Sequence, residues 1–330
     1  DEGEFERLRS ATEAQIIAAR GNATSIARNV LGRLVYGEEH PYGRPGIGSI
    51  ESIQAMTIDD LKAWHANYLA PAGGKMQVVG AVDGDRIAAA FGGLAERWTG
   101  ESIAAPDYEL GAAPDGEAVY FVDMPGAKQS VLMVAKRAVD ASDPDWTRLN
   151  FANEELGGGS SGRLMQLLRI EKGYTYGAYS MLSDFAKATS PWVAMTSVRT
   201  NVTLESMELL REQITEYAST FTDEDAAVSR NLIMKRNARA FETPGAKLGL
   251  LNRIARHDLP HDIVAQESAM LQAMSTDDFQ RVITDYLDES KMVWLVVGDG
   301  ATQRDRLSDF GYGDPVQLDR LGAPQTARAP

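Results

Sequence analysis

The 330-residue sequence predicts an α+β fold of two homologous domains, each a mostly antiparallel sheet packed with helices. Three observations carry that expectation. An internal repeat recurs at one constant offset. Short β-branched runs stand between helical stretches. The length suits two ordinary domains, each with its own core.

The repeat is the strongest of these. Gln54-Ala55-Met56-Thr57-Ile58-Asp59-Asp60 is followed by Tyr68-Leu69 and then Val78-Val79-Gly80. Gln272-Ala273-Met274-Ser275-Thr276-Asp277-Asp278 is followed by Tyr286-Leu287 and then Val296-Val297-Gly298. The differences 272 − 54, 286 − 68 and 298 − 80 all equal 218. A repeat of that period is a duplicated domain, since solenoid units are far shorter. In each copy Thr57 or Ser275 is placed to cap a helix, with Asp60 or Asp278 three residues on. Apolar residues follow at helical spacing, Leu61, Trp64 and Tyr68 against Phe279, Val282 and Tyr286. A β-rich run closes each unit, Met76 to Val82 or Met292 to Val297. Long helical stretches precede the units, Phe5 to Val35 and Asp223 to Phe241.

The second copy has further elements in front of it. Strands are expected at Ala118 to Val122, Ser130 to Ala135, Thr175 to Met181 and Trp192 to Val198. Helices are expected at Asp145 to Leu156 and Leu164 to Lys172, with a glycine loop between them. Asn201 to Phe221 is amphipathic, with Leu204, Met207, Leu210, Ile214 and Tyr217 on one face. Because the second copy starts near 117, the offset places the start of the first roughly 100 residues before Asp1, so the first domain is expected to be truncated at its N-terminus. The boundaries follow: 1–100 the back part of the first domain, 101–116 a linker rich in Ala, Pro, Asp and Gly, 117–312 the second domain, and 313–330 a loosely ordered Pro/Ala-rich tail.

Composition excludes several functions. Net charge is 33 − 47 = −14, which disfavours nucleic acid and anionic membrane as partners. No apolar run reaches the roughly 18 residues of a membrane span. With no cysteine, disulfides, thiolate metal sites and a cysteine nucleophile are excluded. Gly157-Gly158-Gly159 follows a helix and lacks a Lys-Ser/Thr partner, so it is no phosphate loop. No Gly-x-Ser-x-Gly elbow occurs. The four histidines, His40, His65, His257 and His261, fall in neither H-x-x-E-H nor H-E-x-x-H, and Pro260 breaks the helix that would pair the last two.

Two stretches resemble a known family. Glu39-His40-Pro41-Tyr42-Gly43-Arg44-Pro45, with Gly48, Ile53 and the repeat unit, looks like the back half of the first domain of pitrilysin/insulinase-type zinc metallopeptidases. Leu156-Gly157-Gly158-Gly159-Ser160-Ser161-Gly162-Arg163-Leu164, then Leu168-Arg169-Ile170-Glu171-Lys172-Gly173-Tyr174-Thr175-Tyr176, looks like that family's second domain. The resemblance runs from about residue 5 to about residue 312. It implies two halves enclosing a chamber, one half holding zinc in an inverted H-x-x-E-H motif with a third Glu about 75 residues later. The other half lacks the motif and contributes an Arg/Tyr pair.

Carried onto this chain, the resemblance makes it the non-catalytic, substrate-binding half. Arg169 and Tyr176 are the expected substrate contacts, with Gly157, Gly158 and Gly159 as a loop near the chamber entrance. An Arg fork can hold a peptide carbonyl or carboxylate. A Tyr hydroxyl can donate to the oxyanion of the scissile carbonyl. The third-ligand position falls at 36 − 21 = 15, where Gln15 stands, a neutral and poor ligand; Glu13, two residues away, faces elsewhere on a helix. No catalytic residue, metal or cofactor is then expected in this chain. Zinc is expected in a partner half, fused or separate, with a peptide or small protein as substrate. Bacterial relatives point to the periplasm, with the cytoplasm as the other option. Two other readings stay open: a structural or assembly subunit, and a catalytic half whose H-x-x-E-H lies in the absent segment.

Overall fold

The computed structural model describes residues 1–325 apart from Gly73, Ser102, Ala105, 113–115 and Ala240. The linker expectation over 101–116 and the tail expectation over 313–330 fall partly outside the described residues. The chain forms two compact units, one of residues 1–16, 47–108 and 234–264, the other of residues 17–46, 109–233 and 265–330.

The second unit is built on a six-stranded sheet. Its strands are β1 (Ala118–Asp123), β2 (Gln129–Asp140), β3 (Thr175–Leu182), β4 (Thr189–Arg199), β5 (Val293–Gly298) and β6 (Val316–Leu318), in the order β3-β4-β2-β5-β1-β6. The pairs β3–β4, β4–β2 and β2–β5 are antiparallel; β1 runs parallel to β5 and β6. The α+β class with a mostly antiparallel sheet is thus observed. All six residues of β5 are buried, because both faces of the central strands are covered.

Period-2 alternation sorts the strand residues into two cores. Val119, Phe121, Leu132, Val134, Trp294 and Val296 point to one face, under the helices Pro144–Asn153, Thr203–Thr220 and Thr276–Tyr286. The Thr203–Thr220 helix buries Leu204, Met207, Leu210, Ile214 and Tyr217, the face read from the sequence. Val122, Val131, Met133, Val293, Leu295 and Val297 point to the other face. There the helix Ala23–Tyr36 buries Ile26, Val30, Leu31 and Val35 over β2 and β5.

Three expectations change. The long helical stretch from Phe5 is two helices, Glu2–Ala19 and Ala23–Tyr36. Asn22 starts the second by accepting from the Ser25 N–H at 2.9 Å. The tail is not loosely ordered throughout: Val316–Leu318 adds β6 beside β1 and Leu318 is buried. The run Met76 to Val82 forms no strand, and Met76, Val78 and Val82 are exposed.

The first unit is helical among the described residues. It holds Ile50–Ala55, Ile58–Tyr68, Gly84–Phe91, Leu94–Arg97 and Pro244–His257 with parts of Glu2–Ala19, Asp223–Arg239 and Ile263–Ala273. The capping box read at Thr57 is present: Thr57 Oγ1 accepts from the Asp60 N–H at 3.2 Å and Asp60 accepts from the Thr57 N–H at 2.8 Å. Ser275 and Asp278 repeat it at the same distances in the second unit.

Candidate functional site

The structure brings Arg169 and Tyr176 together. Arg169 lies on a π-helical segment, Gln166–Glu171, that continues the short helix Arg163–Met165. Leu164 and Leu168 anchor this stretch in the core. Tyr176 is the second residue of β3, one of the two edge strands of the sheet. The Arg169 guanidinium carbon sits 4.6 Å from the Tyr176 ring centroid. Tyr176 is 85% exposed. Among the described residues neither the guanidinium nor the Tyr176 hydroxyl has a hydrogen bond or ion pair, so the donors of both remain available. Arg169 does not pair with Glu171.

A bulge sets this geometry. The β3–β4 register slips between Thr175 and Ala178, and a bulge re-aims the side chains at its centre. Hydroxyls replace the lost ladder bonds. Thr175 Oγ1 donates to Ser197 O at 2.7 Å and accepts from the Gly177 N–H at 3.0 Å. Thr196 Oγ1 donates to Gly177 O at 2.9 Å. A Cβ at Gly177 would come within 2.8 Å of the Tyr179 ring, so a larger residue there would push that side chain aside. The loop before it is tied down too, with Tyr174 N donating to Leu168 O and Arg199 N to Tyr174 O.

The glycine loop lies against the same strand. Pro144–Asn153 runs into a π-helical turn, Glu154–Gly158, broken at Gly157. A Cβ on Gly157 would stand 2.5 Å from the Ser180 backbone nitrogen, so only glycine fits. A Cβ on Gly158 or Gly159 would meet nothing closer than the Glu154 carboxylate and the Asn153 carbonyl. Buried Asn153 joins the layers: its Nδ2 donates to Ser180 O at 2.9 Å, and its Oδ1 accepts from Ser180 Oγ and Trp192 Nε1. Ser183 N donates to Pro191 O, so by antiparallel alternation the Ser180 backbone points away from β4. Asn153 and Gly157 therefore cover the β3 edge at Ser180. A peptide strand therefore cannot pair along the whole length of the β3 edge.

Beside the loop, Glu155 is half-buried and its carboxyl is pushed up to about 7. Burial is the main cause, reinforced by Asp225 and Glu154 and opposed by Arg163. Arg163 is already engaged, with Asp225 at 2.8 Å and with Thr220. Nothing in the sequence marked Glu155, Asn153, Thr175 or Thr196, because burial and cross-strand pairing reveal them and local pattern does not.

The donor set does not fit zinc. Gln15 is exposed on the Glu2–Ala19 helix, and an amide is a poor ligand. His40 is buried, accepts from the Tyr42 N–H at 3.1 Å and stacks on Tyr36; burial and Arg137 lower its pKa. His65 is exposed on the Ile58–Tyr68 helix, His257 ends the Pro244–His257 helix, and His261 lies in the turn beyond. Among the described residues no three His, Asp or Glu side chains are grouped to hold a metal.

Residues 55–232 match the family described as "Peptidase M16 inactive domain". An uncharacterized zinc protease of Mycobacterium leprae is 33% identical over 152 residues, 45% of this chain and 34% of that protein, so the match spans about a third of the relative's length. One from Streptomyces coelicolor is 21% identical over 309 residues, 91% of this chain and 66% of that protein. Among solved structures, a peptidase M16 inactive domain from Pseudomonas fluorescens superposes with a TM-score of 0.81 at 23% identity, covering 91% of this chain and 71% of that one. The periplasmic protease PqqL from Escherichia coli gives 0.68 at 16% identity, covering 91% of this chain and 33% of that one. The chain belongs to the peptidase M16 family and carries its inactive domain.

Proposed function

We propose that this chain is the substrate-binding, non-zinc half of an M16 peptidase, presenting Arg169 and Tyr176 to a peptide cleaved at a zinc site in a partner half. The supporting observation is the pair itself: stacked, at a bulged sheet edge, with both sets of donors unengaged among the described residues. Its position over the ring restrains the guanidinium while its donors stay unengaged, which lowers the entropy cost of gripping a carbonyl or carboxylate. The Tyr176 hydroxyl is a neutral donor suited to charge developing on a scissile carbonyl. Bound in the partner half, zinc would supply the Lewis acid and activate the water. Because Ser180 is covered, the peptide crosses the Tyr176 end of β3. The partner half is fused or separate, and the compartment we favour is the periplasm.

The test is reconstitution. This chain and a zinc-bearing M16 half are assayed on an unstructured peptide, alone and together. Turnover should need both and be abolished by chelation. Hydrolysis by this chain alone, or full turnover by the zinc half without it, would contradict the proposal.

A further inference from the structure

The sheet face under the Ala23–Tyr36 helix is only partly covered. The helix packs on β2 and β5, and between it and the β3–β4 hairpin runs a groove of about 420 Å³. That is within the range of ligand sites. All of its lining belongs to the second unit.

Two cross-strand rows make the floor. Met133 on β2 stands opposite Met195 on β4, and Val193 on β4 stands opposite Met181 on β3. Met181 is exposed and Met195 half-buried, although both are large and apolar. Methionine adapts its shape to varied apolar partners. Arg28, Leu31 and Val35 recur at helical spacing and form the wall. One end is closed by Tyr42 and Phe185, stacked with centroids 4.0 Å apart. The Tyr42 hydroxyl donates to Ala186 O and that of Tyr36 to Thr189 O, so the tyrosines turn apolar faces inward.

Polarity is one-sided. Arg28 is the single charged residue among the lining residues, and it is exposed with no ion pair among the described residues. It stands eight helical residues before Tyr36 (36 − 28), or about 12 Å along the axis. That length takes about three to four residues of extended chain. An exposed arginine beside an apolar groove offers a fork of donors that matches a carboxylate.

We infer that this groove is a second peptide site, for a short apolar segment with an acidic side chain at the Arg28 end. It is independent of the Arg169–Tyr176 reading. The probe is a fluorescently labelled peptide, Leu-Met-Phe-Asp-Glu, titrated into the full chain by anisotropy. The wild type should bind it, and bind versions with Lys for the acidic residues or Ser for the apolar ones at least about tenfold more weakly. Arg28→Glu should weaken the acidic peptide about tenfold and leave an uncharged, amidated Leu-Met-Phe unchanged. Met181→Asp, at a position 47% exposed, should weaken both with Tm unchanged. Arg169→Ala should change neither, so failure of the proposed function leaves this result intact. Equal binding of acidic and basic peptides, indifference to Met181→Asp, or binding of dodecanoate with no peptide bound would overturn the inference.

Discussion

Residues 58–80 and 276–298 are repeats of one sequence pattern, yet they end in different structures. Both begin with a capping box of the same geometry and continue as an eleven-residue helix, Ile58–Tyr68 or Thr276–Tyr286. In the second unit that helix buries Phe279, Val282 and Ile283, and the following run becomes β5 between β2 and β1. In the first unit the helix buries nothing, and the equivalent run is no strand, with Val78 exposed where Val296 is buried. The caps are local, so they survive in both copies. A strand is not local. Its free energy comes from cross-strand neighbours and burial, and β-propensity without them decides little.

The largest expected difference tests this directly. Phe279→Ala removes a side chain buried against Phe221, with ring centroids 5.0 Å apart, and should cost about 3–5 kcal/mol in urea unfolding. Leu61→Ala, its counterpart across the repeat, should cost under about 1 kcal/mol, since Leu61 is exposed. Similar losses at both positions would mean that the first copy carries a core like the second's.

A smaller effect lies in a clamp that only the second copy has. Arg281 binds Asp145 at 2.9 Å, and its counterpart across the repeat is Ala63. Arg281, with Arg148 and the Tyr286 hydroxyl, holds the Asp145 carboxyl down to about 2. A depressed carboxylate pKa gives stability that is present above its ordinary value near 4 and lost as pH falls towards 2. Arg281→Ala should therefore lower Tm at pH 7 and flatten its fall between pH 4 and 2. An unchanged acid limb would remove the clamp from the account.

Much of the second unit was legible. Hydrophobic alternation located β1 to β5, and 3.6-residue spacing located the buried face of Thr203–Thr220. The family resemblance singled out Arg169 and Tyr176, and the fold places the guanidinium carbon 4.6 Å from the ring centroid. Other features depend on contacts distant in sequence. A Pro-rich tail hides β6, because three strand residues gain their value only beside β1. The slip between Thr175 and Ala178 is set by hydroxyls of Thr175 and Thr196, 21 residues apart, and no local pattern announces it. The covering of Ser180 by Asn153 and Gly157 likewise spans 27 residues. It closes the β3 edge at Ser180 and leaves Tyr176 exposed.

The most direct test of the central claim is a double-mutant cycle on kcat/KM for peptide cleavage by the assembled enzyme. Arg169→Ala and Tyr176→Phe should each lower it by about tenfold or more with Tm unchanged, in line with loss of a transition-state donor. Because the pair acts as one stacked unit, the double variant should lose less than the product of the two single effects. Wild-type kcat/KM in both single variants would contradict the claim that this pair grips the substrate.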